Sequence, residues 1–316
     1  MSTSHENDLD GRFTHVSEVT LASTPKIAFV GLGAMGTAMA ATLVKHQYHV
    51  TGFDLNADAL ARLAAAGGHR ATSAAAAAEA SDVLIVMTVN ADQAEDVLFA
   101  KGSLDALNAG GTVIVMATCA PDRIAGLAKR VAATGRQFID APVSGGVVGA
   151  ESGTLSIMAA APQATFDRHA ELLRTMGSGL VHVGQIPGQG AAMKIVNQLL
   201  CGVHIAVAAE GLAFAERQGI DPQLALGILS GSAASSWMLK NRGPRMVADD
   251  PSVTSAIDIF VKDLSLVLDA GRSAKMGLPL AALAHQAFLN ASGMGLGSRD
   301  DSQVIATYRA LAEKKA

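Results

Sequence analysis

The sequence predicts an α/β first half followed by an all-α second half. Short apolar runs alternate with helical stretches from Lys26 to about residue 143, a glycine-rich turn follows the first run, and from Gly188 onward the pattern is almost wholly helical. A chain of 316 residues is long enough for two domains, and a composition that is half hydrophobic allows a large core in each. The expected division is a polar leader over 1–24, a first domain over 25–187, and a helical domain over 188–316. The glycine-containing loop at 184–190 marks the boundary.

Element by element, KIAFV (26–30) reads as the first strand, and an alanine-rich helix follows to about Lys45. HVTGFD (49–54) is the second strand and 57–67 its helix. DVLIVMTV (82–89), GTVIVMAT (111–118) and RQFIDAPV (136–143) are further apolar runs with helical stretches between them. Strands alternating with helices predict a parallel, doubly wound sheet with ligands at the carboxyl ends of its strands.

Gly31-Leu32-Gly33-Ala34-Met35-Gly36 fits GxGxxG between a strand and a helix. Gly31 permits the tight turn, Gly33 leaves room for a pyrophosphate, and Gly36 lets the helix pack on the strand while its N-terminus faces the negative charge. Asp54 ends the second strand, 18 residues after Gly36, and no arginine follows it at once. A carboxylate there suits the two adenosine ribose hydroxyls and repels a 2′-phosphate. The domain therefore reads as Rossmann-type and NAD-binding. The competing reading of Asp54 is a turn cap beside Asn56 and Asp58.

In the second half, helices are expected over about 190–218, 222–231, 235–247, 253–276 and 279–293, punctuated by Gly219, Pro222, Pro251 and Pro279. The first is unusually long, and its apolar content on several faces suggests burial by several neighbours, including a second subunit. It carries Lys194, Asn197 and Gln198 among Met193, Ile195, Val196, Leu199 and Leu200. Spacings of three and four residues place the amine and the amides on one helix face, and polar groups in apolar surroundings need partners that a substrate could supply. A lysine snorkelling from a surface helix is the alternative. His204, ten residues on, reads as an interior histidine, and Trp237 as either core packing or a pocket wall.

The formal charge of −4 carries no block of like charges, which argues against nucleic acid. No uninterrupted apolar stretch suits a bilayer, because Asn197, Gln198, His204 and Glu210 break up 196–215. No membrane partner is therefore expected. Cys119 and Cys201 form neither a disulfide framework nor a metal motif, which points to reduced thiols, a cytoplasmic location and no metal.

VGLGAMGTAMA (30–40), DAPVSGGVVGAESGTLSIM (140–158), GQGAAMKIVNQ (188–198) and FVKDL (260–264) stand in an order and spacing that resemble the β-hydroxyacid dehydrogenases, the group containing 3-hydroxyisobutyrate dehydrogenase and tartronate semialdehyde reductase. The resemblance covers about residues 25–312. SSWMLKNR (235–242), SAIDIFVKDLSLV (255–267) and RDDSQVI (299–305) look most like the branch that oxidises L-threonate with NAD. The resemblance implies that Lys194 is the catalytic lysine and that Asn197 accompanies it. It also implies that Ser144-Gly145-Gly146 holds the substrate carboxylate, with Gln198 and Trp237 nearby. Val89, Asn90, Thr118 and Lys262 would contact the cofactor, and the assembly would be a dimer or tetramer joined through the helical domain. One departure is Ala117, where many members have serine, and this puts that loop's contacts in doubt.

The chemistry of the residues agrees with these roles. A general base must take the hydroxyl proton, and burial lowers a lysine's pKa toward working pH. Exposed backbone N–H groups of the two glycines, with the serine hydroxyl, make an anion site without arginine; an ordinary turn is the alternative. Lys262 could instead pair with Asp258 on a solvated helix face. An imine reductase shares the architecture but generally lacks the lysine. A phosphogluconate enzyme would need a longer helical region, and an NAD-binding scaffold would bind without turnover.

Overall fold

In the computed structural model, residues 24–312 are described, so the leader expected at 1–24 falls almost wholly outside them. Strand β1 (Ile27–Val30) is apolar throughout and fully buried, as a central strand covered on both faces must be. Next come α1 (Ala34–Lys45), β2 (Val50–Phe53), α2 (Ala57–Ala65), the two-residue β3 (His69–Arg70), α3 (Ala74–Ala78) and β4 (Val83–Val86). Helix α4 (Ala91–Glu95) runs into a π-helical turn at Asp96–Ala100. It is followed by α5 (Ser103–Ala106), β5 (Thr112–Val115), α6 (Pro121–Ala132) and β6 (Gln137–Asp140).

These six strands are parallel in the order β3-β2-β1-β4-β5-β6. The direction of winding reverses between β1 and β4, so the loop after β1 opens into the crevice where ligands bind doubly wound sheets. One hydrophobic cluster joins Phe29, Leu43, Leu63 and Ile114 on one sheet face, and another joins Val30, Leu84, Leu98 and Val113 on the other.

Beyond β6 the parallel, doubly wound sheet is extended by a mixed portion. Strand β7 (Val143–Ser144), helix α7 (Gly146–Ser152), strand β8 (Ser156–Ala160), helix α8 (Gln163–Met176) and strand β9 (Gly179–Gly184) extend it. There β8 runs antiparallel to both β6 and β7 and parallel to β9. The short α7 turn reverses the chain between β7 and β8, which a parallel crossover could not do in so few residues.

The remainder is helical: α9 (Gln189–Arg217), α10 (Pro222–Ser230), α11 (Trp237–Met246), α12 (Ile257–Ser273), α13 (Pro279–Ala291) and α14 (Ile305–Ala312). Proline opens α10 and α13 at their first helical positions, where its missing N–H costs nothing. Helix α9 is long and apolar enough by length and composition to cross a membrane. Its neighbours give that composition another use, because α10, α11, α12, α13 and α14 all pack on it. Ile205, Leu212, Phe260, Leu264 and Phe288 form the core between them.

Candidate active site

The glycine turn explains itself by geometry. Gly31 adopts φ +96°, and a Cβ there would lie 2.4 Å from the carbonyl oxygen of Met87. At Gly36 a Cβ would lie 2.0 Å from the Gly31 carbonyl oxygen, so α1 approaches the strand as only glycine allows. Gly33 differs: a Cβ would meet nothing within 4 Å, and its open side faces outward at the start of α1. Ala34 and Met35 begin that helix. Asp54 accepts hydrogen bonds from the backbone N–H of Leu32 at 2.6 Å and of Asn56 at 2.8 Å. It ties the glycine loop to the end of β2, and a carboxylate with about four acceptor positions keeps two for a ligand. Capping of α2 belongs to Asn56, which accepts from Asp58 N–H. An open glycine, a helix N-terminus and a partly free carboxylate are what a dinucleotide needs, so the residues fit NAD.

A cleft of about 150 Å³ lies where β4 and β5 end, lined by Asn90, Thr118, Cys119, Arg123 and Lys262 among others. Asn90 caps α4 through Gln93 N–H, and the side chain of Val89 is exposed beside it. Lys262 reaches across from α12 and donates to the Thr118 carbonyl oxygen at 3.4 Å. Its nearer partner is Asp263 at 2.6 Å. Asp258, the alternative partner for Lys262, instead accepts from the Ser292 hydroxyl. Arg123, which the sequence reading did not single out, is anchored by Asp92 at 2.7 Å and Glu95 at 2.9 Å, and both carboxylates hold its guanidinium in the charged form.

Lys194 is 7% exposed although three of its apolar helix neighbours, Met193, Val196 and Leu200, face outward. Its Nζ donates to Gln198 Oε1 at 2.8 Å, and Asn197 Nδ2 donates to the same oxygen at 2.9 Å. Gln198 Nε2 in turn donates to Asp263 Oδ2 at 2.5 Å. Burial lowers the Lys194 pKa from its ordinary 10.5, opposed by the negative charge of Asp263. Gln198, expected at the substrate, therefore has both ends of its amide engaged within the protein.

The Ser144-Gly145-Gly146 loop leads from β7 into α7 with φ +133° at Gly145 and +66° at Gly146. The Leu155 side chain packs under Gly145, where a Cβ would lie 3.1 Å from it, whereas Gly146 faces open space. Asp140, at the end of β6 and four residues before Ser144, accepts from the N–H groups of Gly188 and Ala191 at 2.8 and 2.9 Å. It thereby fixes the start of α9 one turn before Lys194. Gly190 makes this approach possible, since a Cβ there would lie 2.4 Å from the Met158 carbonyl oxygen. Sequence reasoning missed Asp140 and Asp263. The available signals were an acid closing an apolar strand and an acid within the apolar stripe of Phe260, Leu264 and Val267.

Trp237 is 58% exposed at the start of α11, so simple core packing does not describe it. His204 is half-buried rather than interior. Later in α11, Arg242 grips Asp301 through two bonds of 2.9 Å, and Arg245 binds Asp300 at 2.9 Å. The stretches 235–242 and 299–305, far apart in sequence, are thus one structural unit.

A family profile described as the NAD binding domain of 6-phosphogluconate dehydrogenase matches residues 26–184. A second, described as NAD-binding of NADP-dependent 3-hydroxyisobutyrate dehydrogenase, matches residues 188–308. An L-threonate dehydrogenase of Cupriavidus necator is 42% identical over 89% of this chain and 95% of its own length. A 2-hydroxy-3-oxopropionate reductase of Escherichia coli is 34% identical over 92% and 99%. The crystal structure of a 3-hydroxyisobutyrate dehydrogenase from Salmonella typhimurium superposes with a TM-score of 0.84 at 38% identity, covering 89% of this chain and 99% of that one. A Rossmann-type half bearing the dinucleotide fingerprint, a helical half bearing the buried lysine, and relatives matched over nearly their whole lengths make this chain a member of the β-hydroxyacid dehydrogenase family of NAD-dependent oxidoreductases.

Proposed function

We propose that this protein oxidises a small hydroxy acid with NAD, that the acid is L-threonate and the product its 2-oxo acid, and that Lys194 is the general base in oxidation and the general acid in reduction. The observation that carries this reading is a buried amine whose one acceptor among the described residues is a neutral amide. Burial without a carboxylate in contact favours the uncharged amine, the form that can take a hydroxyl proton. Asn197 spends its NH2 on Gln198 and Cys201, which leaves its carbonyl oxygen for a substrate hydroxyl. Ser144 and the N–H groups of Gly145 and Gly146 bind the carboxylate, and Trp237 walls the far side of the pocket. When bound, the nicotinamide supplies the hydride acceptor. Asn90, Thr118 and Lys262 line its side of the cleft and Val89 contacts it beside Asn90, while Gly31 to Gly36 and Asp54 hold the dinucleotide, with Asp54 favouring NAD over NADP. Residues 25–187 and 188–316 are the corresponding domains, and the enzyme works in the cytoplasm.

L-Threonate is favoured by the 235–242 and 299–305 unit, which the Arg242–Asp301 pair stiffens beside Trp237. The other readings within the family are 3-hydroxyisobutyrate oxidation and 2-hydroxy-3-oxopropionate reduction. Self-association through the helical half is supported by Met193, Val196, Leu200, Val207 and Phe214, which leave an exposed apolar stripe along α9.

The test is a rate panel of small hydroxy acids with NAD and with NADP, run on the native enzyme and on Lys194→Ala. L-Threonate with NAD should give the highest kcat/KM, and the variant should lose about a thousandfold or more while still binding NAD. Retained turnover in Lys194→Ala would remove the lysine from the mechanism, and binding without turnover of any acid by the native protein would favour a scaffold.

A further inference from the structure

Lys194 and Lys262 are joined by a chain of polar groups, buried at Lys194, Gln198 and Asp263 and partly exposed at Lys262. From Lys194 it runs through the Gln198 amide to Asp263, and from Asp263 to the Lys262 ammonium and on to the Thr118 carbonyl oxygen. Asp263 is 2% exposed and lies at its centre. We propose that Asp263 is a positioning residue: by fixing which way the Gln198 amide points, it leaves the Lys194 lone pair free for the substrate hydroxyl. This rests on Lys194 being the proton-transfer residue.

The argument is one of donors and acceptors. An ionised carboxylate only accepts. Oδ1 of Asp263 accepts from Lys262, and Oδ2 lies 2.5 Å from Gln198 Nε2. The amide must therefore turn its NH2 toward Asp263 and its carbonyl oxygen toward Lys194. A neutral amine facing a carbonyl donates one N–H to it and keeps its lone pair pointing elsewhere. If the amide were reversed, its NH2 would donate to that lone pair and occupy it. Direct contact between Lys194 and a carboxylate would be no better, because it would hold the ammonium form. Asp263 stands one residue removed, with its own charge balanced by Lys262. The groups that act electrostatically on Lys194 are Asp263 and Lys262 from α12 and Cys201 on its own helix, while Asp140 of β6 is spent on the start of α9.

The experiment compares Asp263→Asn, Gln198→Met and the double variant in the full-length enzyme. A 13C-lysine NMR titration, with the Lys194 signal assigned by its loss in Lys194→Ala, reads protonation with and without NAD. Each single variant should lower the Lys194 midpoint by roughly half a unit or more, because charge compensation or the acceptor is lost while burial remains. Each should lower kcat at saturating NAD by about ten- to a hundredfold, with the acidic limb of the kcat/KM profile displaced to lower pH. NAD affinity, read by calorimetry, should weaken several-fold in Asp263→Asn, which frees Lys262, and hold in Gln198→Met. The double variant should be no slower than the worse single one. An unmoved Lys194 midpoint in both single variants, or losses that multiply in the double, would overturn the role of Asp263. If Asp263→Asn fails to fold, the near-isosteric Gln198→Met decides through the same midpoint and rate. A wild-type rate in Lys194→Ala would instead overturn the base assignment beneath it.

Discussion

Asp140 offers a quantitative test of how the helical half is fixed to the sheet. Its carboxyl is fully buried, Oδ2 accepts from the N–H groups of Gly188 and Ala191, and Oδ1 has no hydrogen-bond partner among the described residues. Burial pushes its pKa from 3.8 up to about 6, against the lowering effect of the backbone N–H groups. Asp140→Ala strips the partner from two buried donors, each worth about 1–3 kcal/mol when left unsatisfied, so a loss of about 2–6 kcal/mol is expected. Asp140→Asn keeps an oxygen for the two donors and should cost less than half as much. The pH dependence has a definite sign. The folded protein holds the proton more tightly than the unfolded chain, so the favourable contribution is complete below about pH 4 and is lost as pH rises through about 6. Linkage between those two pKa values gives about 1 kcal/mol between pH 5 and pH 8. Urea unfolding of the native protein and both variants at the two pH values measures this. The native-minus-Asn difference in unfolding free energy should be larger at pH 5 than at pH 8. A difference that is flat or reversed would refute the buried-carboxyl reasoning, and an Ala variant as stable as the Asn variant would refute the anchoring role.

Three further substitutions separate binding from folding and test assembly. Gly33→Ala meets open space and should leave the melting temperature nearly unchanged while weakening NAD binding at least about tenfold; Gly36→Ala drives a methyl into the Gly31 carbonyl and should lower stability itself, as thermal melting and NAD titration would show. Val207→Glu places a charge in the exposed apolar stripe of α9 and should reduce the mass measured by light scattering to that of one chain without unfolding it, whereas an unchanged mass would move the interface elsewhere.

The parts of the fold legible in the sequence are those whose signals are local. The first βαβ unit showed in the glycines, in the apolar run before them and in Asp54. The helices of the second half showed in Pro222 and Pro279, which open α10 and α13. Strands β8 and β9 were not legible. Ser156–Ala160 is a short run with one β-branched apolar residue, and its strand character comes from pairing with Gly179–Gly184 and with β7. The last helix, Ile305–Ala312, also went unread, as did the two-residue β3. In the site, Lys194 and the Ser144 loop stood out because their motifs are contiguous. Asp140 did not, since the N–H groups it serves lie 48 and 51 residues away. Asp263 did not either, because its partner Gln198 is 65 residues earlier. A buried acid cannot announce its purpose until the chain brings its donors to it.

These two acids hold one helix at two points along its length. Asp140 reaches α9 from the sheet at Ala191, three residues before Lys194, and Asp263 reaches it from α12 at Gln198, four residues after. The lysine thus stands on a turn fixed at both ends, which limits the wandering of a long flexible side chain. Neither acid forms a salt bridge with the amine. Asp140 answers backbone N–H groups, and Asp263 is neutralised by Lys262. A carboxylate in contact with Nζ would also fix the side chain, but by stabilising the ammonium form it would work against proton removal. Holding the amine through a neutral amide gives it direction without committing its proton, and for the role proposed for Lys194, taking a proton in oxidation and returning it in reduction, that separation is the central requirement.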